Sequence, residues 1–509
     1  MPDTPPDSLR EGSSKWTRRS LLGAMAAAGA LSFPVREVAA QAESGSAAGT
    51  VTAVPLSRRF GNWAAALDYD DLPADVIDRA KGVTLQALVS ILLGSRTDAG
   101  RQAVALVVDE EAGVRRGATV LVDGSTVTVG GAVFANAEMA LAGGKWDTFR
   151  MLTHPGTGIV PAALAAAEMS AASGRDFIAG IVAGYEVMER MAAEHVPTVM
   201  ARGFHAGPVF GIFGAAVAAA RVLGLSADQI TAAIGLCVNL AGGNLQSSGL
   251  REGAAVRNAM LAVSLARRGA AGRETALEGP AGFYHAFAGN NDGQLSHSFT
   301  GTLKTELSRI ADGLGNEWMF LQTLYRIYSI PGYNIAHIEL TARLCEQHDI
   351  RPEDVERVEA IVNWMETQYP SPAFATVRED LPGPVRRGST RYYAAYGIVA
   401  RGFPLLPDVP EPPGVMELAE RVTIIPAHER PLFGPRVTIT LKDGRQFTAD
   451  GTGREFIWDF QEQVRRIGGV APGLPVDETR FAELIEAVRE LEALTRADRL
   501  TQLTLAEPG

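Results

Sequence analysis

The chain has 509 residues, 46% of them hydrophobic and 21% charged, with a formal net charge of −11 at pH 7. That length holds one large domain or two to three ordinary ones, and the apolar share supports a sizeable core and excludes wholesale disorder. The acidic balance argues against nucleic acid or an anionic membrane as a general partner, while leaving room for a local cationic pocket and a small anionic substrate.

Residues 1–42 read as an export signal. Thr17-Arg18-Arg19-Ser20-Leu21-Leu22 is a twin-arginine pattern, an apolar stretch runs to Phe33, and Ala40-Gln41-Ala42 is a small-residue cleavage site. The apolar stretch is shorter than the about 20 residues a membrane span needs, so no stable span is expected. The twin-arginine export machinery is then an expected partner, and the mature protein is expected in the periplasm or secreted. Residues 43–56 form a linker rich in Ser, Gly and Ala.

From residue 57 the pattern is mostly helical. Leu72-Pro73-Ala74-Asp75 opens an amphipathic helix with proline near its first turn. A hairpin signal follows, residues 118–122 and 126–129 about Asp123-Gly124. Alanine-rich helices are then expected over 131–143, 158–172, 176–195, 207–223, 227–241 and 254–268. Their small side chains suit close packing in an α-bundle. After Tyr325 the period shortens. Residues 355–362 (VERVEAIV) alternate as a half-exposed strand does, and 421–425, 437–441 and 446–449 read as further strands, the last two joined by Lys442-Asp443-Gly444. Helices near 335–349 and 391–401 lie between them. The tail returns to helix over 455–467 and 478–494. The fold class read from this is mainly α with an α+β insert: a helical domain of 57–322 and 455–506, and an α+β lid of 323–454.

Two cysteines, Cys237 and Cys345, lie in apolar runs; no metal-ligand spacing is present, and no metal site or cofactor is expected. Buried thiols are the plain reading, and one disulfide stays open. Two histidines, by contrast, each stand directly before an alanine-rich helix: His154 in Thr153-His154-Pro155-Gly156, and His205 in Gly203-Phe204-His205-Ala206-Gly207. The first turn of a helix offers unpaired N–H groups and the positive end of its dipole to an anion. An imidazole beside that point can move a proton near neutral pH. The pair suggests a small acidic substrate held between helix ends.

The segments LPADVIDRAKGVTLQALVSILLG, THPGTGIVPAALAAAE, GYEVMERM, RGFHAGPVFGIFGAAVAAARVLGLSADQITAAIGL, LEGPAGFYHAFAG and RPEDVERVEAIV resemble, in this order, the MmgE/PrpD superfamily, which includes 2-methylcitrate dehydratase and cis-aconitate decarboxylase. The likeness spans roughly 57–505. It implies a large helical domain with a smaller α+β lid, a homodimer, and an active site between domain and lid. It also implies metal-independent lyase chemistry: removal of a proton next to a carboxylate, then loss of hydroxide or carbon dioxide. Carried over by motif, His154, His205, Thr148 and Tyr392 are candidate catalytic residues, and Arg251, Asp147, His337 and Tyr328 candidate substrate-binding ones.

Three positions depart from the family pattern. Gly144 replaces the first aspartate of a D-F-D-D-T segment, read here as Gly144-Lys145-Trp146-Asp147-Thr148. Leu250-Arg251-Glu252-Gly253 stands where K-R-L-H-x-G is usual, and Tyr328 where the lysine of K-P-Y-P is usual. Arginine is a planar, always-charged fork and cannot serve as a base. Either the substrate is smaller and less charged, or the cations come from elsewhere, with Lys145, Arg150, Arg202 and Arg257 nearby in sequence, or catalysis has been lost. A small carboxylate or hydroxy acid is the expected substrate. An isomerase or epimerase on the same scaffold, and a catalytically degenerate periplasmic binding protein, are the alternatives.

Overall fold

The computed structural model describes residues 54–247, 249–328, 330–404 and 410–506, all of which fall in one compact unit. The expected export signal (1–42), and all of the linker except its last three residues, lie outside the described residues. No described helix is long and apolar enough to cross a membrane.

The fold is mainly α with a small α+β part. The helical part contains α1 (Leu56–Ala66), α2 (Ala74–Gly94), α3 (Asp98–Glu111), α4 (Val129–Gly143), α5 (Gly156–Ser170) and α6 (Gly174–Ala192). It continues with α7 (Val196–Ala201), α8 (Ala206–Val222), α9 (Ala227–Cys237), α10 (Glu252–Arg267) and α11 (Phe283–Ala288). Local chemistry starts these helices. Thr97, Thr128, Ser173 and Ser226 each accept a first-turn N–H of α3, α4, α6 and α9, and Gln229 completes a capping box at Ser226. The expected hairpin shrinks to β1 (Ala118–Thr119) and β2 (Thr126–Val127), because Thr128 is spent on capping α4.

Small residues set how closely the helices approach. Where α6 crosses α8, a Cβ added to Gly184 would lie 2.6 Å from the Gly214 carbonyl oxygen and 2.7 Å from Ala218 Cβ. The backbones therefore touch there, which explains the alanine and glycine content of both helices.

The mixed part holds α12 (Gly332–His348), β5 (Val355–Asn363), α13 (Thr390–Ala400), α14 (Val415–Ala419), β6 (Val422–Ala427), β7 (Arg436–Leu441) and β8 (Gln446–Asp450). Its sheet runs β6-β5-β7-β8; β5 and β6 are parallel, and the other pairs antiparallel. The β7–β8 turn closes at Gly444, whose φ of +86° is the left-handed conformation glycine tolerates. Helices α15 (Phe460–Ile467), α16 (Glu478–Arg489) and α17 (Arg499–Thr504) return to the helical part. There the Phe460 N–H donates to Asp78 Oδ2 at 2.9 Å, and Gln463 Nε2 donates to Gln86 Oε1 at 2.8 Å. α16 ends five residues before the expected 494, giving way to a tight turn of 3₁₀ helix over Leu491–Ala493.

A short antiparallel pair joins the two parts: β3 (Trp146–Thr148) and β4 (Leu324–Arg326), in register Trp146↔Arg326, Asp147↔Tyr325, Thr148↔Leu324.

Packing at the α6–α8 crossing gives a test of opposite signs. Gly184→Ala forces backbone apart and should cost about 1–3 kcal/mol. In Gly211→Ala, on α8 itself, the added methyl meets nothing nearer than 3.7 Å and should gain about 0.5–1 kcal/mol through helix propensity. Urea unfolding of the two variants beside the parent checks both.

Candidate functional site

A cavity of about 240 Å³ lies at the β3–β4 pair, walled by residues of both parts. Side chains on a strand alternate between its faces. Trp146 and Thr148 of β3, and Arg326 of β4, line the cavity. Asp147 and Tyr325, between them in sequence and paired with each other, point away into the protein.

Asp147 is buried behind the cavity, where it holds the start of α5. Its two carboxylate oxygens accept the Gly156 N–H at 3.0 and 3.1 Å, and Oδ2 also accepts the Tyr185 hydroxyl. Gly156 admits this approach, since a Cβ there would lie 2.6 Å from Tyr185 Oη and 2.9 Å from Asp147 Oδ2. Burial pushes the Asp147 carboxyl up to about 6, against the pull of those donors. The carboxylate is thus committed to a helix terminus and is not placed to bind a substrate.

From this anchored turn His154 enters the cavity wall. Its Nδ1 lies 3.0 Å from the Asp147 carbonyl oxygen and 3.3 Å from Thr148 Oγ1. The carbonyl can only accept, so the bonding assigns the proton to Nδ1 and leaves Nε2 as a lone pair. The ring packs on Trp146, centroids 4.4 Å apart. Burial, and then the charge of Arg326, hold the imidazole well below its ordinary value. His154 is therefore a neutral, oriented base at neutral pH.

Three arginines line the cavity with it, Arg150, Arg251 and Arg326; the Arg150 guanidinium lies 4.7 Å over the Phe149 ring and feels the charges of Glu194 and Glu189. Arg150 lies on the loop between β3 and α5, where it and Leu152 adopt φ of +58° and +55°. Left-handed backbone at non-glycine residues costs on the order of 1–2 kcal/mol each and persists only where surroundings impose it. Arg326 stacks over Trp146 with its Cζ 4.6 Å from the ring centroid, and its Nε donates to the Ile330 carbonyl at 2.8 Å. Burial pulls Arg326 down to about 10, still charged at neutral pH. The phenols of Tyr333 and Tyr369 complete the polar lining. Burial raises both, so they remain hydroxyl donors. Such an arrangement suits a small anion bearing more than one carboxylate.

His205 stands just behind Arg251. It caps α8, its Nδ1 lying 3.2 Å from the Gly207 N, and its Nε2 is 2.7 Å from Arg251 Nη1. Burial, then Arg251, pushes it down to about 3. Glu252, the first residue of α10, is buried beside it. A Cβ on Gly207 would come within 2.5 Å of Glu252 Oε1 and 3.3 Å of His205 Cε1. Burial drives this carboxyl up to about 8, and its Oε1 meets no hydrogen-bond partner among the described residues.

The other residues singled out from the sequence sit elsewhere. Tyr392 turns toward Glu411 and packs on Tyr393 and Tyr396. Its neighbour Tyr393 is the residue close enough to Arg326 to feel its charge. Tyr328 stacks flat on Phe403 at 3.9 Å and receives Arg466 Nη1 at 3.4 Å, outside the cavity lining. His337 is fully buried in α12, pushed down to about 3 by burial, with neither ring nitrogen bonded to a described residue. Of the four alternative cations, only Arg150 reaches the cavity. Arg257 pairs with Glu111 at 2.7 Å, Arg202 donates to the Ala286 carbonyl at 3.3 Å, and buried Lys145 lies behind, its ammonium lowered by burial and by Arg326. Gly144 closes α4 with φ +72° and open space around it, so the position of the family aspartate is here a helix stop.

Arg326, Tyr333 and Tyr369 were not singled out from the sequence. Arg326 and Tyr333 flank the segment Tyr328-Ser329-Ile330-Pro331, which is the one local signal that could have found them. Tyr369 carries none. Among the described residues no group of three or more His, Cys, Asp or Glu could hold a metal ion.

With this geometry in hand, comparison with known proteins is informative. Residues 58–296 match the MmgE/PrpD N-terminal domain. The chain is 26% identical over 473 residues to a cis-aconitate decarboxylase-like protein of Aspergillus oryzae, covering 86% of this chain and 92% of that protein. It is 25% identical over 489 residues to cis-aconitate decarboxylase of Aspergillus terreus, covering 87% and 94%. To cis-aconitate decarboxylase of Mus musculus it is 26% identical over 388 residues, 70% and 74% of the two chains. These likenesses support the MmgE/PrpD superfamily and an enzyme of the lyase or decarboxylase kind.

Two measurements test the supports of the site. Asp147→Ala leaves the Gly156 N–H buried and unpaired and should cost about 2–3 kcal/mol in thermal or urea unfolding. Glu252→Gln tests the buried acid through pH. Its folded value is raised from 4.5 to about 8, so the wild-type contribution is full below pH 4.5 and is lost as pH rises through 8. The melting temperature of Glu252→Gln relative to wild type should therefore climb between pH 5 and 8 and level off above. A difference independent of pH would show that Glu252 is ionised in the fold.

Proposed function

We propose that this protein is a lyase acting on a small di- or tricarboxylate, with His154 as the base that takes a proton from the carbon next to a carboxylate. One observation carries the reading. A neutral imidazole with a fixed tautomer lines the same cavity as three arginines, Arg150, Arg251 and Arg326. The arginines hold the carboxylates and spread the charge that develops on the enediolate, and a buried site makes that stabilisation stronger than water would.

The step runs as follows. His154 Nε2 removes the proton from the carbon, whose electron pair is delocalised into the adjacent carboxylate. The pair then forms a carbon–carbon double bond as hydroxide leaves from the next carbon, protonated on departure by a phenol of Tyr333 or Tyr369. In the decarboxylating variant no proton is removed from carbon: the bond to a carboxylate breaks, carbon dioxide leaves, and the electron pair left behind is delocalised toward a carboxylate held by the arginines. Carbon then takes a proton from a phenol of Tyr333 or Tyr369, with His154 positioning the substrate. The cis-aconitate decarboxylases among its relatives make the second variant the first to assay. Thr148 steadies the His154 ring.

Purified protein should be assayed with cis-aconitate, citrate, 2-methylcitrate and smaller hydroxy diacids, following products by proton NMR. Turnover of one of them is expected, and His154→Ala should reduce it by about 10²–10⁴-fold. Because burial depresses His154, the acid limb of kcat/KM should lie below the ordinary histidine value of about 6.5, with full activity above it. Ligands that raise the melting temperature without turnover would sink the enzyme reading and favour a binding protein. Exchange or inversion at one carbon, with no leaving group, would favour an isomerase.

A further inference from the structure

His205 is bonded in a way a neutral imidazole cannot satisfy. Both neighbours of its ring nitrogens are donors only: the Gly207 N–H at Nδ1 and the Arg251 guanidinium at Nε2. Neutral imidazole has one lone pair to offer, and imidazolium has none. The backbone cannot relieve the conflict, because the His205 N–H is held by the Gly243 carbonyl at 3.1 Å and its carbonyl receives Val209 N. Arg251 is the adaptable partner. Its contact with His205 is its one side-chain hydrogen bond among the described residues, its Nε is buried with no partner, and the same side chain lines the cavity. Among the described residues it has no acceptor other than His205.

Resting on the carboxylate-lyase reading above, we infer that Arg251 is a substrate-operated latch: a carboxylate entering the cavity takes its N–H donors away from His205 Nε2 and thereby releases the imidazole for proton transfer. In the empty protein His205 Nε2 is blocked by a cation, and the ring stays neutral and inert. With the carboxylate bound, the charge of Arg251 is neutralised and turned aside, the Nε2 lone pair is freed, and proton affinity returns. The groups that face His205 then set its behaviour: Arg251 and the neutral carboxyl of Glu252 from α10, Glu138 behind Glu252, and, through charge, His154. Arg251 acts here as a positioning residue for His205, on top of its contact with substrate. Proton handling at the second histidine is in this way restricted to the occupied site.

Two readouts test the latch in the full chain. The first is a pair of crystal structures, empty and with propane-1,2,3-tricarboxylate bound. Arg251 Nη1 should move from 2.7 Å to beyond hydrogen-bond range of His205 Nε2 and contact a ligand carboxylate. An Arg251 that stays on His205 with the ligand in place overturns the latch, even if turnover is observed. The second is the pH dependence of kcat against that of kcat/KM. Wild type should show an acid limb at least one pH unit higher in the substrate complex than in the free enzyme. Arg251→Gln should bring the two limbs together, and Arg251→Lys should keep part of the split; limbs that coincide in wild type count against the latch. A purely structural role for Arg251 would change rates without moving the limbs relative to each other. Movement of Arg251 onto the ligand in a protein that turns nothing over would sustain the latch while removing the lyase. Failure of any carboxylate to bind would remove both.

Discussion

The site depends on three residues of antiparallel pairing between β3 and β4. Because strand side chains alternate, this one ladder performs two tasks at once. Its cavity-facing side carries Trp146, Thr148 and Arg326, which orient a histidine and supply a cation. Its inward-facing side carries Asp147, which with Tyr185 ties down the first turn of α5 and so sets where His154 can stand. A slip of one residue would exchange the two faces, bury Arg326 without an anion and strip α5 of its cap. Register here is therefore held by charge as much as by packing.

Electrostatics and burial work against each other around this ladder, and the balance defines the chemistry. Arginines keep their charge even when buried; histidines and carboxylic acids give theirs up. The result is a cavity lined by arginines and the neutral imidazole of His154, with the Glu252 carboxyl beside His205 pushed up to about 8 by burial. Among the described residues that line the cavity, none carries a carboxylate to counter the charge of Arg326.

Much of this was legible in the sequence, for reasons that also mark the limit. The helices that follow His154 and His205 announce themselves by alanine-rich runs and by their starts, and β7–β8 by its Asp-Gly turn; these are local signals. The resemblance brought Thr148, His154, His205 and Arg251 into view, and the structure puts Thr148, His154 and Arg251 in one cavity wall with His205 bonded to Arg251. What escaped was non-local. β3 and β4 are too short for any period, and the parallel pairing of β5 with β6 joins strands with a long excursion between them. Helical geometry hid a subtler point: adjacent residues on a helix point about 100° apart, so Tyr393 approaches Arg326 while Tyr392 turns to Glu411. Asp147, read from the motif as a substrate contact, stands between two cavity-lining residues, and pleating turns its side chain to the other face, onto Gly156 and Tyr185.

The β3–β4 ladder also bears on what counts as a working unit of this chain. The segment matching the N-terminal domain ends at residue 296, and it contains His154, its tautomer-fixing carbonyl and two of the arginines. Arg326, Tyr333 and Tyr369 lie beyond it, as does the strand that completes the ladder. The matched segment thus holds His154 and two of the three cavity arginines, and its strand β3 finds its partner only in the segment beyond. Neither segment alone assembles the cavity: the wall that carries His154 is completed only when the later segment pairs its strand and contributes Arg326, Tyr333 and Tyr369.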